Sequence, residues 1–268
     1  MEQIIAKNQP VGGQAPVVQR IRIRYAKRGP LRFTSHRDFA RAFERALRRA
    51  AVPIAFSQGF HPHPKISYAS AAPTGVASEA EYLEIALQAP VDPAELRAAL
   101  DAALSPGLDV LDAVIAREGT SLADRINASR WRLELPGVEP DVARDALQRF
   151  MDAPEVLVER MTKQGLREFD ARVAVASATV IDEPAAPSGA DASPCAILDL
   201  VVRQVTPAVR PDDVLSGLRV VAALVPPAPP RATRLAQGSL AAQGDLAAQG
   251  DFVDPLDADR EDVPIGGR

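Results

Sequence analysis

Residues 20–25, Arg-Ile-Arg-Ile-Arg-Tyr, alternate polar and apolar without a break. A period of two puts Ile21, Ile23 and Tyr25 on one face and the arginines on the other, as in a half-buried strand. Gly29-Pro30 then turns the chain. Ser35 stands where an N-cap belongs, ahead of a helix predicted over His36–Ala51. In that stretch Phe39, Phe43, Ala46, Leu47 and Ala50 recur at helical spacing, and Arg37, Arg41, Arg45, Arg48 and Arg49 fill the other positions. The result is an amphipathic helix with an arginine-rich outer side, ended by Val52-Pro53. A short strand over 53–56, a loop over Ser57–Lys65 and strands over Ile66–Ala71 and Tyr82–Leu87 follow. Asp92 caps a helix running to about Leu104, and Leu108–Ala116 reads as another strand.

The chain then repeats this kind of pattern. Trp131–Leu135, Glu155–Met161, Arg167–Ile181 and Ala196–Val205 have strand character, and Asp141–Phe150 and Arg210–Leu218 have helical character. The predicted class is α+β, with two ferredoxin-like (split βαβ) sandwich units in tandem. The first spans 19–117 and the second 118–225, joined near 117–129. Residues 1–18 are rich in Gly, Pro and Gln, and 226–268 in Pro, Ala, Gln, Gly and Asp, so both ends read as disordered tails. The hexapeptide Leu240-Ala-Ala-Gln-Gly-Asp recurs at Leu246, with a partial copy at Leu235, which is too short a repeat to stack as a solenoid.

Charge changes this picture. The net charge of −4 conceals a basic stretch: residues 20–65 hold 12 Lys or Arg against Asp38 and Glu44. Such a surplus calls for an anionic partner such as RNA or a ribosomal component, unless those side chains pair with the acidic remainder of the chain. The single cysteine, Cys195, excludes an internal disulfide, and also a cysteine-built zinc or iron–sulfur site within one chain. No apolar run reaches the ~18 residues that span a bilayer, and the N-terminus lacks the pattern of a signal peptide. A cytoplasmic protein with no membrane contact and no cofactor is expected.

All three histidines, His36, His61 and His63, lie within 28 residues. If the 57–65 loop folds back on the helix start, Arg32, Ser35, His36, Gln58, His63 and Lys65 would ring one cleft, with Arg45, Arg48 and Arg49 at its edge. Three readings stay open. The cleft is an anion site helped by the helix N-terminus. Or His36, His61 and His63, with Asp38, Glu79 or Glu81, hold zinc or iron in a metal-dependent hydrolase. Or the same residues cap the helix and brace the loop with no ligand. Histidine–lysine RNA cleavage is a sharper form of the first reading, which would make this a stand-alone RNA-binding or RNA-processing protein.

Several of these residues belong to a longer pattern. Phe33-x-Ser35-His36-x-Asp38 is followed by Phe43-Glu44-Arg45-Ala46-x-Arg48-Arg49-Ala50. Then come Pro53, Ser57-Gln58-Gly59-Phe60, Pro62-His63-Pro64-Lys65, and Ser78-Glu79-x-Glu81-Tyr82. This pattern resembles the radical-SAM-linked domain family. His61 stands where that family often has Asn. The resemblance implies a radical SAM protein as partner and an accessory, non-catalytic role. The three clustered cysteines that a radical SAM enzyme itself needs are absent from this chain.

Overall fold

The computed structural model describes residues 16–119, 121–162, 165–182, 194–240 and 252–260. β1 (Gln19–Lys27) buries Ile21, Ile23 and Tyr25, as the alternation requires. A short 3-10 helix (Gly29–Phe33) leads to α1 (His36–Arg49). There the Ser35 hydroxyl accepts the Asp38 N–H at 3.2 Å and donates to the Asp38 carboxylate at 2.6 Å. The apolar stripe of α1, with Phe39, Phe43, Ala46 and Leu47, is buried. Phe39 stacks on Tyr25 at 4.3 Å between ring centroids, which locks the helix onto the sheet.

β2 (Ile66–Ala69), β3 (Ala77–Leu87), α2 (Pro93–Ala103) and β4 (Val110–Ile115) complete the first half. β1 lies between β3 and β4, and β2 pairs along β3. Leu83, Ile85 and Leu87 join the α1 stripe and Leu96 and Leu100 of α2 in one core.

A 3-10 turn (Ala123–Arg125) leads into β5 (Ala128–Pro136) and α3 (Pro140–Asp152). β6 (Leu157–Thr162) and β7 (Gly165–Asp170) pair as a separate two-stranded sheet. β8 (Val175–Ile181), β9 (Cys195–Arg203) and α4 (Pro211–Ala222) follow. The second core joins Trp131, Leu133 and Leu135 of β5 to Leu198 and Leu200 of β9, and to Phe150 of α3 and Leu218 of α4.

Residues 231–240, expected to be disordered, instead form β10 (Arg231–Leu240), so the second half runs past 225. β10 pairs antiparallel with β5 and parallel with β3. Ladder hydrogen bonds on both edges hold this segment extended despite its poor strand composition. β11 (Phe252–Val253) and α5 (Asp257–Arg260) also lie in the presumed tail. Both return to the body of the protein: Leu256 is fully buried with Tyr82, Leu122 and Ile126. The expected disorder of 1–15, 241–251 and 261–268 falls outside the described residues.

Apart from the β6–β7 pair, the described strands make one sheet on the path β4-β1-β3-β10-β5-β9-β8, with β2 beside β3 and β11 beside β10. The first and second halves of the chain are therefore joined edge to edge in this sheet. Each half runs strand, helix, strand, strand, helix, strand, the second with the β6–β7 hairpin inserted, and in each half the last strand lies beside the first.

Candidate nucleic-acid interface

The basic residues of 20–65 divide into two groups. Those on or next to β1 are internally compensated. Arg20 pairs with Glu84 at 3.0 Å, and Arg22 pairs with Glu84 at 2.9 Å and Asp259 at 2.8 Å. Arg24 reaches Asp254 at 3.2 Å, and Arg28 binds Glu79 and, at 2.6 Å, Asp109. Lys27 is buried and donates to the Pro73 carbonyl at 3.2 Å; burial pushes its ammonium pKa down, with nearby Glu81 opposing.

The arginines of α1 differ. Arg37, Arg41, Arg45 and Arg48 are all exposed and follow one another at helical spacing, so they form a ridge along one side of α1. None of the four has a carboxylate partner among the described residues. Arg49 turns aside to donate to the Ala103 carbonyl, and Arg32 sits over the Phe33 ring at 4.7 Å. Four positive charges thus line a solvated helix face, and no ion pair among the described residues neutralises them.

The 57–65 loop is a hairpin. Phe56 bridges Pro64, Ser57 N–H donates to the His63 carbonyl at 2.8 Å, and His63 N–H donates to the Ser57 hydroxyl at 3.0 Å. Its base is fixed to the end of β3, where Ala55 donates to Ala86 and Ala86 to Lys65. Gln58, His61, His63 and Lys65 are exposed, and Phe60 at the tip is 98% exposed.

No contact among the described residues joins the two sides of the expected cleft. His36 packs edge-on against Tyr68 at 4.7 Å, toward the far end of β2 from the hairpin. The three residue steps from Lys65 to Tyr68 span about 10 Å of extended chain. No hydrogen bond or ring contact joins Ser35 or His36 to the hairpin among the described residues. His36, His61 and His63 likewise form no metal-holding group there. Ser35 serves as the cap of α1, its hydroxyl already committed to Asp38.

The expected edge residues Arg45 and Arg48 are thus the heart of the basic surface, and Arg37 and Arg41 belong with them. The signal for those two was the helical period itself. Tyr68 packs against His36 and Phe39. Its hydroxyl is buried without a partner among the described residues, and burial pushes its pKa well up, with Glu44 adding to the shift.

The family model described as "Uncharacterized protein conserved in bacteria (DUF2344)" matches residues 20–211. A search of curated proteins finds no match.

Proposed function

The chain belongs to this bacterial family, and on that footing we propose a non-catalytic accessory protein that holds RNA on the α1 ridge while its Phe60 hairpin docks a radical SAM enzyme. The observation that carries the RNA part is the contrast in pairing. The arginines of β1 have carboxylate partners, whereas Arg37, Arg41, Arg45 and Arg48 have none among the described residues. The docking part rests on the motif resemblance through Phe33–Tyr82 and on an aromatic ring held 98% exposed at a hairpin tip. Among the described residues no helix is long and apolar enough to cross a membrane. The shared order of strands and helices in the two halves supports reading each as a ferredoxin-like unit.

Stand-alone RNA cleavage would need His36, His63 and Lys65 at one scissile bond, and no contact among the described residues joins His36 to the other two. The metal-hydrolase reading lacks its ligand cluster.

The test is filter binding of a labelled single-stranded RNA over a salt series. Binding should weaken linearly on a log–log plot, with a slope of roughly −0.7 per phosphate contact. Reversing Arg37, Arg41, Arg45 and Arg48 to Glu should reduce that slope by about 3. An absence of RNA retention at low salt removes the RNA reading. A native-cell pull-down that recovers no radical SAM protein removes the docking reading.

A further inference from the structure

The backbone ladder of β10 with β3 is short, with Thr233 opposite Ala77 and Arg234 opposite Ser78. From Tyr82 onward β2 pairs with β3 instead. The two halves therefore part in a wedge, and it holds a cavity of about 620 Å³. That volume lies within the range of small-molecule sites, which favour such junctions. Its walls come from the β2–β3 connection, from β5, and from the 203–211 loop that leads into α4.

Much of the lining is apolar, including Ala71, Pro73, Val205 and Val209. Arg203 and Arg210 also line the cavity, and neither forms a salt bridge among the described residues. Asp213, in the first turn of α4, is engaged by Arg160 at 2.6 Å and by the Arg210 backbone N–H at 2.7 Å, and the Arg210 charge also acts on it. Ser129 lines the same space with only 7% of its surface exposed, and its hydroxyl has no hydrogen-bond partner among the described residues. Arg234, also at the wall, is already held by Glu81 and lies 5.5 Å from the Trp131 ring centroid, so this part of the pocket is rigid in advance.

We propose that this wedge binds an organic phosphate of nucleotide size. Its phosphate would sit on Arg203 and Arg210, since guanidinium groups bind phosphate oxygens in pairs. Its apolar body would lie against Pro73 and Val209, and a polar atom would reach the Ser129 hydroxyl. The site is separate from the α1 ridge and does not rest on the RNA reading.

The test is calorimetric titration of the full chain with AMP, adenosine and inorganic phosphate. AMP should bind, and the other two at least tenfold more weakly, because each supplies only half of the interaction. R203Q/R210Q should weaken AMP at least tenfold while its urea midpoint stays that of the parent. Ser129→Leu, which fills the cavity, should abolish AMP binding. Should that variant fail to fold, the arginine pair still decides. Reversal of Arg37, Arg41 and Arg45 to Glu should leave AMP binding unchanged. The proposal is overturned if AMP gives no binding at millimolar concentration. It is equally overturned if R203Q/R210Q binds AMP like the parent, or if reversal of the α1 arginines abolishes AMP binding, which would place the nucleotide on the ridge.

Discussion

Replacing Asp259 by Asn tests how the far C-terminal segment is tied to the first strand. The Asp259 carboxylate is fully buried. It accepts from Arg22 Nη1 at 2.8 and 2.9 Å, from Arg125 Nη1 at 2.6 Å and Nη2 at 3.2 Å, and from the Arg117 N–H at 3.0 Å. Asn keeps the shape, removes the charge and turns an NH₂ group toward guanidinium donors. The Arg22 side chain is only 4% exposed, so its charge loses one of its two carboxylates with little water to replace it. Removing one member of a buried ion pair costs about 3–5 kcal/mol. At about 2–4 °C per kcal/mol for a chain of this size, the melting midpoint should fall by roughly 6–20 °C. Thermal unfolding followed by far-UV circular dichroism reads this directly. A shift under about 2 °C, the size of an ordinary surface substitution, would refute the docking of α5.

The pH dependence carries a second check. Burial alone would raise the Asp259 carboxyl, but hydrogen bonds from Arg125, the Arg117 N–H and Arg22 outweigh it, and its pKa lies below the ordinary value of 3.8. On acidification the unfolded chain takes up this proton first. The stabilisation is therefore complete above the unfolded value and lost as pH falls through the folded one. The gap between parent and D259N should narrow below about pH 4.

Three further outcomes are expected. Ser35→Ala removes the α1 cap and should cost about 1 kcal/mol in urea unfolding. Gly238→Ala would drive a Cβ into the Val253 carbonyl oxygen, so β11 must shift or detach; a loss of about 1–3 kcal/mol is expected from such overpacking. Phe60→Ala should leave the melting curve within about 0.5 kcal/mol of the parent while abolishing capture of the radical SAM partner; retained capture would count against the hairpin as the docking element.

Much of the first half was readable because its signals are local. The Ile21–Tyr25 alternation, the Ser35 cap and the Phe39–Leu47 stripe each span a few residues, and each forms as its period demands. β10 escaped because nothing local marks it. Arg231-Ala-Thr-Arg-Leu-Ala-Gln-Gly-Ser-Leu lacks apolar alternation and opens after a proline run. Its Gln237 is buried only because β3 offers the Ala80 carbonyl at 2.6 Å, and its Gly238 suits the close approach of Val253. A strand defined by partners on both sides carries its instructions in those partners. The 57–65 segment forms a loop as read, but the backbone bonds at Ala55 and Ala86 that fix its base involve groups every residue possesses.

The basic stretch shows the same limit in electrostatic form. Counting charges along 20–65 treats Arg22 and Arg45 alike, yet their surroundings are opposite. Arg22 is buried between Glu84 and Asp259, the latter 237 positions away in sequence, and its charge is spent inside the fold. Arg45 stands in water with its own field intact. What separates them is the pleat and the helical period acting on one arginine-rich sequence. Alternation turned the β1 arginines toward a face that an acidic segment covers, and the 3.6-residue turn set the α1 arginines on a face that nothing described covers. On the proposed reading, the charge available to a phosphate backbone is therefore the four ridge arginines, not the whole excess. That smaller number is the one the salt dependence of binding should return.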